Sequence, residues 1–171
     1  MDVREIYDRQ CERAYRIALL YLKNIYDAQD AVQNIFIKLL EKPQSFENAS
    51  HEDAWFIVTT KNYCRDLLKS FWKRRVDLGD IPETAAQDGQ TYDLMLQMLR
   101  LSAKYREVIY LYYYEEYSIK EMSKLLDRKE STIQTQLAAA RKKLKLELEK
   151  EGLVYEGKQH KTNVRLPESH F

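Results

Sequence analysis

Apolar side chains return every three to four residues from Val3 to Phe71 and again from Leu94 to Leu144, and one stretch between these runs is built to interrupt a helix. That stretch, residues 79–91, holds Gly79, Pro82 and Gly89 among acids and carries one large apolar side chain, Ile81. With 4 Gly and 3 Pro in 171 residues, turn chemistry is too sparse for the many reversals of a sandwich or barrel. The spacing predicts an all-α chain of two small helical domains, residues 1–78 and 92–148, joined by a flexible acidic linker at 79–91. Residues 149–171 are polar, balance four acids against four bases and include Pro167, so a disordered tail is expected.

In the first domain, Val3, Ile6, Tyr7, Ala14, Ile17, Ala18, Tyr21 and Leu22 mark a helix from Val3 to Leu22. Ala28, Ala31, Val32, Ile35, Phe36, Leu39 and Leu40 mark a second. Asp27 and Asp30 open it, where the helix dipole favours acids, and Pro43 closes it. A polar stretch, residues 44–53, leads to a third helix expected from about Glu52 to Trp72. Ala54, Ile57, Val58, Leu67, Leu68 and Phe71 are its apolar positions, with six bases on its other faces or just beyond its end.

In the second domain, Leu94, Met95, Met98, Leu99 and Leu101 make one helix, and Val108, Ile109, Leu111 and Tyr112 lie in another. Ser118 and Glu121 form a capping box that opens a short helix through Met122, Leu125 and Leu126. A turn at Asp127 then leads to a last helix, from about Glu130 to Leu148. Two helices across so short a turn have the form of a helix-turn-helix, here within a four-helix, winged-helix-like domain. Asp127 stands where such turns often use glycine, and aspartate tolerates a left-handed backbone better than most residues. Ile133, Leu137, Ala140 and Leu144 fall on the packing face of the last helix. Ser131, Gln134, Thr135, Ala138 and Lys142 point the other way, small and polar near the N-terminal end and basic toward the C-terminal end. Such a face suits a major groove, where a Gln bonded to an adenine edge gives about 1–3 kcal/mol of discrimination. Gln134 also reads as a solvated helix former. Tyr112, Tyr113 and Tyr114 are aromatic enough to stack bases, but tyrosines at this spacing more often line a core boundary.

Net charge is only +1, yet it is segregated. Residues 27–53 carry six acids and two bases, 54–76 six bases and one acid, 79–99 four acids and no base, and 100–147 eleven bases and seven acids. Two basic surfaces separated by an acidic connector fit a protein that touches a polyanion at two places. Charged, solvated helix faces produce the same alternation.

Other chemistries find no support. There is no glycine-rich nucleotide loop, catalytic triad signature or paired acidic nuclease motif, so neither enzyme activity nor a cofactor is expected. His51, His160 and His170 lack metal-ligand spacing, and no metal is expected. Cys11 and Cys64 read as inert buried thiols, and Trp55 and Trp72 as core residues, in preference to redox or base-stacking roles. Apolar runs are too short to span a membrane, and the charged Met1–Glu5 is no signal peptide, so a cytoplasmic, soluble protein is expected.

Several segments together resemble the bacterial extracytoplasmic-function (group IV) sigma factors, over roughly Val3 to Leu148. The run from Asp27 to Leu39 is similar to the family's D-A-x-D-x-V-Q-E-x-F-x-K-L signature. Ala54-Trp55-Phe56 with Lys61-Asn62 and Asp66 resembles its W-L-x-x-I-A-R-N-x-x-x-D stretch. Arg106-Glu107-Val108 and Ala140-Arg141-Lys142-Lys143-Leu144 resemble its R-E-V and R-A-R-K-K-L pieces. The resemblance implies a promoter-specificity subunit of core RNA polymerase. Asp27, Asp30, Gln33, Asn34 and Phe36 fall where the family contacts the polymerase clamp helices. The loop around Ser45 to Ser50 and the third helix, with Lys61, Asn62, Arg65, Lys69, Lys73, Arg74 and Arg75, fall where it melts and holds the minus-ten element. Ser131, Thr132, Gln134, Thr135, Arg141 and Lys142 fall where it reads promoter DNA at the minus-thirty-five element. Apolar faces of the second domain would dock on the polymerase flap, the linker would run toward the RNA exit channel, and an anti-sigma factor is a further partner the family allows.

The chain departs from the pattern at Asn34, usually Glu, at Thr60-Lys61, usually Ala-Arg, and at Glu116 and Asp127, usually glycine. Lys129, Gln134, Gln136 and Ala139 stand where the family often has a Ser cap followed by Lys, Arg and Arg. Three fewer cations weaken the expected phosphate contribution. Two rivals stand beside this reading: a helix-turn-helix regulator that never touches polymerase, and a helical adaptor for an acidic protein.

Overall fold

A computed structural model describes residues 2–74 and 97–150; the side chains of 71–74 are outside that description. The chain divides into two compact units, Met1–Glu83 and Thr84–Phe171. The expected linker at 79–91 and tail residues 151–171 lie outside the described residues, as do Leu94 and Met95. All regular structure among the described residues is helical.

The first unit is built from α1 (Val3–Leu22), α2 (Ile25–Glu41) and α3 (Ala49–Arg74). Asp2 caps α1 by accepting from the Arg4 amide at 2.9 Å. Lys23 ends it in a left-handed conformation (φ 55°), donating its amide to the Leu19 carbonyl. Asn24 then caps α2, its Oδ1 accepting from Tyr26 N and Asp27 N. The helix thus opens two residues before Asp27. α3 also starts earlier than the polar composition of residues 44–53 suggests. Asn48 Oδ1 accepts from the His51 amide at 2.9 Å, and that cap begins the helix at Ala49.

Two clusters fill the space between these helices. One gathers Ile6, Ala14, Val32, Ile35, Phe36, Leu39 and Phe56; the other Ala18, Leu19, Leu22, Ala28, Ala31 and Cys64. Burial pushes the Cys64 thiol up to about 12, which matches an inert core thiol. Trp55 is partly buried against Phe46 and Phe56, on the core side as expected.

A polar clasp ties α1 to the first turns of α3. Arg9 donates two hydrogen bonds to Glu52, at 3.1 and 3.0 Å. Buried Gln10 donates to Glu52 at 2.9 Å and to Asp53 at 2.7 Å, while Arg13 donates to Gln10 Oε1 and pairs with Asp53. The bonds from Arg9 hold the Glu52 carboxyl below its usual range, against the opposing effect of burial.

In the second unit, residues 97–100 are helical and precede α4 (Ala103–Ile109), which runs directly into a π-helical turn at Tyr110–Tyr114. Glu116 turns the chain in a left-handed conformation (φ 56°). The Ser118–Glu121 capping box opens α5 (Ile119–Leu126), and its hydrogen bonds hold the Glu121 carboxyl low. Asp127 (φ 51°, ψ 53°) makes the expected left-handed turn into α6 (Glu130–Lys150), two residues longer than the spacing indicated. Four helical segments are present and no wing strand occurs among the described residues. Met98, Leu99, Val108, Ile109, Tyr110, Leu111, Met122, Leu126, Ile133, Leu137, Ala140 and Leu144 are buried.

Candidate nucleic-acid and polymerase interfaces

On α2, Ala28, Ala31, Val32, Ile35, Phe36 and Leu39 face inward at helical spacing, which turns the opposite stripe outward. Asp30, Gln33 and Asn34 stand exposed on that stripe, and Asp27 is half-buried at its head. Phe36 does not join them. It is 6% exposed, with its ring 4.9 Å from Tyr7 and 5.2 Å from Phe56, because its position belongs to the inward stripe. Ile37 and Leu40, 50% and 58% exposed, supply the apolar part of the outer face instead. Ile37 is signalled in the sequence as an apolar residue that falls off the inward spacing; Leu40 is expected within that spacing and instead stands outside it, one turn beyond Ile37.

On α3, Asn62, Arg65 and Lys69 are exposed at i, i+3 and i+7 and form one outer stripe with Asp66, which pairs with Lys69 at 3.4 Å. Lys61 is placed differently from the expectation. It is 8% exposed, because it lies four residues after buried Ile57 and three before buried Cys64, on the packing side of the helix. Lys73 and Arg74 continue the helical backbone, but their side chains and all of Arg75 lie outside the described residues. Of the expected single-strand loop, Ala49 and Ser50 already belong to α3, which leaves residues 42–48 as the connection. Phe46 anchors it against Trp55, with ring centroids 5.7 Å apart.

On α6, Ser131, Thr135, Ala138 and Lys142 form an exposed stripe opposite Ile133, Leu137, Ala140 and Leu144. At 100° per residue, Gln134 and Arg141 flank it on one side, two turns apart, and Thr132 flanks it on the other. Thr135 Oγ1 donates back to the Ser131 carbonyl at 2.9 Å. Arg141 is not splayed into solvent. Its Nε donates to Tyr113 Oη at 2.6 Å, and its guanidinium carbon lies 5.4 Å from the Tyr112 ring centroid and 5.6 Å from that of Tyr113. The tyrosine run is thus a boundary structure, with Tyr110 buried and stacked on Tyr114 at 5.1 Å.

Two neighbouring buried charges, Arg106 and Glu107, brace different ends of the second unit: Arg106 the start of α4 and Glu107 the turn before α6. Arg106 Nη1 donates to the Leu99 and Leu101 carbonyls at 3.0 and 2.7 Å. Glu107 accepts from Arg128 at 2.5 Å, and Arg128 also donates to Gln136 Oε1 at 3.1 Å. Arg106-Glu107 was visible only as a motif; Arg128 and Gln136 gave no local sign of pairing with it. Among the described residues no group of His, Cys, Asp or Glu could hold a metal ion, and no helix is long and apolar enough to cross a membrane.

Comparison with known proteins assigns both units. Residues 6–74 match the family model for sigma-70 region 2, and residues 92–144 match that for sigma-70 region 4. The RNA polymerase sigma factor SigV of Bacillus subtilis is 27% identical over 143 residues, covering 81% of this chain and 86% of its own. The ECF RNA polymerase sigma factor SigL of Mycobacterium tuberculosis is 27% identical over 161 residues, covering 88% and 91%. Among solved structures, the sigma factor RpoE from Bartonella quintana, crystallised in complex with the anti-sigma factor NepR, superposes with a TM-score of 0.72. Its identity is 22%, over 86% of this chain and 97% of that one, which speaks to the fold.

Proposed function

The chain belongs to the extracytoplasmic-function sigma factors of the sigma-70 family, and from that premise we propose how its surfaces divide the work of promoter-directed transcription initiation. It acts as a specificity subunit: it binds core RNA polymerase and directs it to promoter DNA. In our reading the outer face of α2, with Asp30, Gln33, Asn34, Ile37 and Leu40, is the polymerase clamp contact. Arg65 and Lys69, on one stripe with Asn62, neutralise the backbone of the melted minus-ten strand. The 42–48 connection supplies the pocket side of that contact, since a melted strand needs charge neutralisation and a place for unstacked bases. The α6 stripe enters the major groove at the minus-thirty-five element, with Gln134 on its reading flank and Lys142 on phosphate. Leu146, the large hydrophobic that the described part of the second unit leaves exposed, belongs to a flap contact. An anti-sigma partner and a cytoplasmic location complete the proposal.

The observation that carries the division is the contrast between two outer stripes. One is acidic and apolar; the other is small, polar and ends in lysine. Protein surfaces are met by the former, and phosphate-lined grooves by the latter. The test mixes the full chain with core polymerase and a promoter library and maps transcript starts. Discrete new starts are expected. Duplex binding that is independent of polymerase and yields no starts would instead mean a helix-turn-helix regulator, and neither outcome would leave a protein-binding adaptor.

A further inference from the structure

Most arginines of this molecule whose contacts are described are matched to carboxylates. Arg9 pairs with Glu52, Arg13 with Asp53, Arg16 with Glu12, Arg100 with Glu147 and Arg128 with Glu107. Arg141 is treated differently: its partners are two tyrosine rings and one phenol oxygen, all neutral. The rings of Tyr112 and Tyr113 stand at 77° to one another, 5.0 Å apart, so the guanidinium is bounded by two walls while keeping its full charge. Nε is committed to Tyr113 Oη, and that fixes the roll of the guanidinium plane and the aim of its remaining donors. Arg141 lies two turns beyond Gln134 on the same flank of α6, where a helix seated in a groove passes the backbone.

From this geometry we infer that Tyr112 and Tyr113 are positioning residues, which hold Arg141 oriented toward a backbone phosphate at the edge of the upstream element. The inference rests on α6 being the duplex-reading helix. An unrestrained arginine loses side-chain entropy when it binds. The tyrosine seat takes that loss during folding, without the neutralising carboxylate that would cancel the attraction for phosphate. Lysine could not replace Arg141 there, since it has no Nε–H to give to the phenol while presenting a planar fork to the anion.

The experiment measures binding of the holoenzyme, full chain plus core polymerase, to a duplex that the wild-type holoenzyme has itself selected, over a range of salt concentrations. Arg141→Ala is expected to lower affinity and to reduce the slope of log K against log salt by about one unit. Tyr112→Leu with Tyr113→Leu is expected to weaken binding about three- to ten-fold. Tyr113→Phe, which keeps the ring and loses the hydrogen bond, should weaken it less. The deciding result comes from combination: with Arg141 already Ala, the tyrosine replacements should change neither affinity nor slope. Additive losses would show that the tyrosines serve only the fold of the unit, and would overturn the inference, as would an Arg141→Ala slope equal to wild type. Failure of the wild-type holoenzyme to select any duplex is a separate result, which removes the function reading and this inference with it.

Discussion

α2 and α6 each bury one stripe and leave the opposite one open, yet they expose different chemistry. α2 presents Asp30, Gln33 and Asn34 with Ile37 and Leu40, and α6 presents Ser131, Thr135, Ala138 and Lys142 with Gln134 beside them. Large apolar groups on an exposed helix cost solubility and gain energy only when a protein surface covers them. Small groups beside a lysine leave room for base edges and gain energy from phosphate. The scaffolds differ too. The α2 face stands on a packed aromatic core and the α1–α3 clasp, whereas α6 is steadied at Gln136 by Arg128, itself held by Glu107 of α4, and at Arg141 by two tyrosines of the π-turn.

The largest test of that contrast separates inner from outer residues on α2. Phe36→Ala should cost about 3–5 kcal/mol of first-unit stability in a denaturant melt, since it opens a cavity between Tyr7 and Phe56. Asp30→Arg should leave the melt unchanged and abolish co-purification with core polymerase. If Phe36→Ala melts like wild type, the inward assignment is broken; if Asp30→Arg still co-purifies at full yield, the outward one is.

Next comes the clasp. Glu52→Ala should destabilise the first unit by about 2 kcal/mol, below the roughly 3–5 of a fully buried pair because Arg9 is half-exposed. The Glu52 carboxyl is held below its ordinary value near 4.5, so its contribution is complete above that value. It fades as the pH falls through the depressed one. Glu52→Gln should therefore flatten the acid limb of the stability profile, and an unchanged limb would remove the clasp from the comparison.

On α6 the expected effects are comparable but confined to DNA. Gln134→Ala should alter the preferred base at one upstream position by about 1–3 kcal/mol, measured over single-base variants. Lys142→Ala should weaken all variants alike and lower the salt slope by about one unit. Equal loss on every variant with Gln134→Ala would make Thr135 or Ser131 the better reader. The smallest effect concerns the turns. Asp127→Gly should stabilise the second unit by up to about 1 kcal/mol in a thermal melt, because glycine meets no Cβ penalty at φ 51°.

The helices and their inward stripes were legible because 3.6-residue spacing is a local property, and Ile133, Leu137, Ala140 and Leu144 sit where that spacing puts them. Lys61 and Phe36 show where reading by residue type or family position overrode the same rule. Each occupies an inward position, and the spacing alone would have placed both. The partners of Glu107 and Arg141 were not legible, since Arg128 is 21 residues and Tyr113 is 28 residues away in sequence, and only folding brings them together. The start of α3 is not legible in composition, because the Asn48 cap lies inside a stretch whose residues are those of a loop.

Those sequence separations bear on grafting. A chimera that exchanged only the helix-turn-helix, residues 119–150, for that of another sigma factor would leave Glu107 facing a foreign turn and Tyr112 and Tyr113 facing a foreign helix. The recognition surface would travel without its mounts. A crossover placed before Leu99 keeps Arg106 with its two carbonyls and moves α6, the Glu107–Arg128 brace and the tyrosine seat together as one cassette.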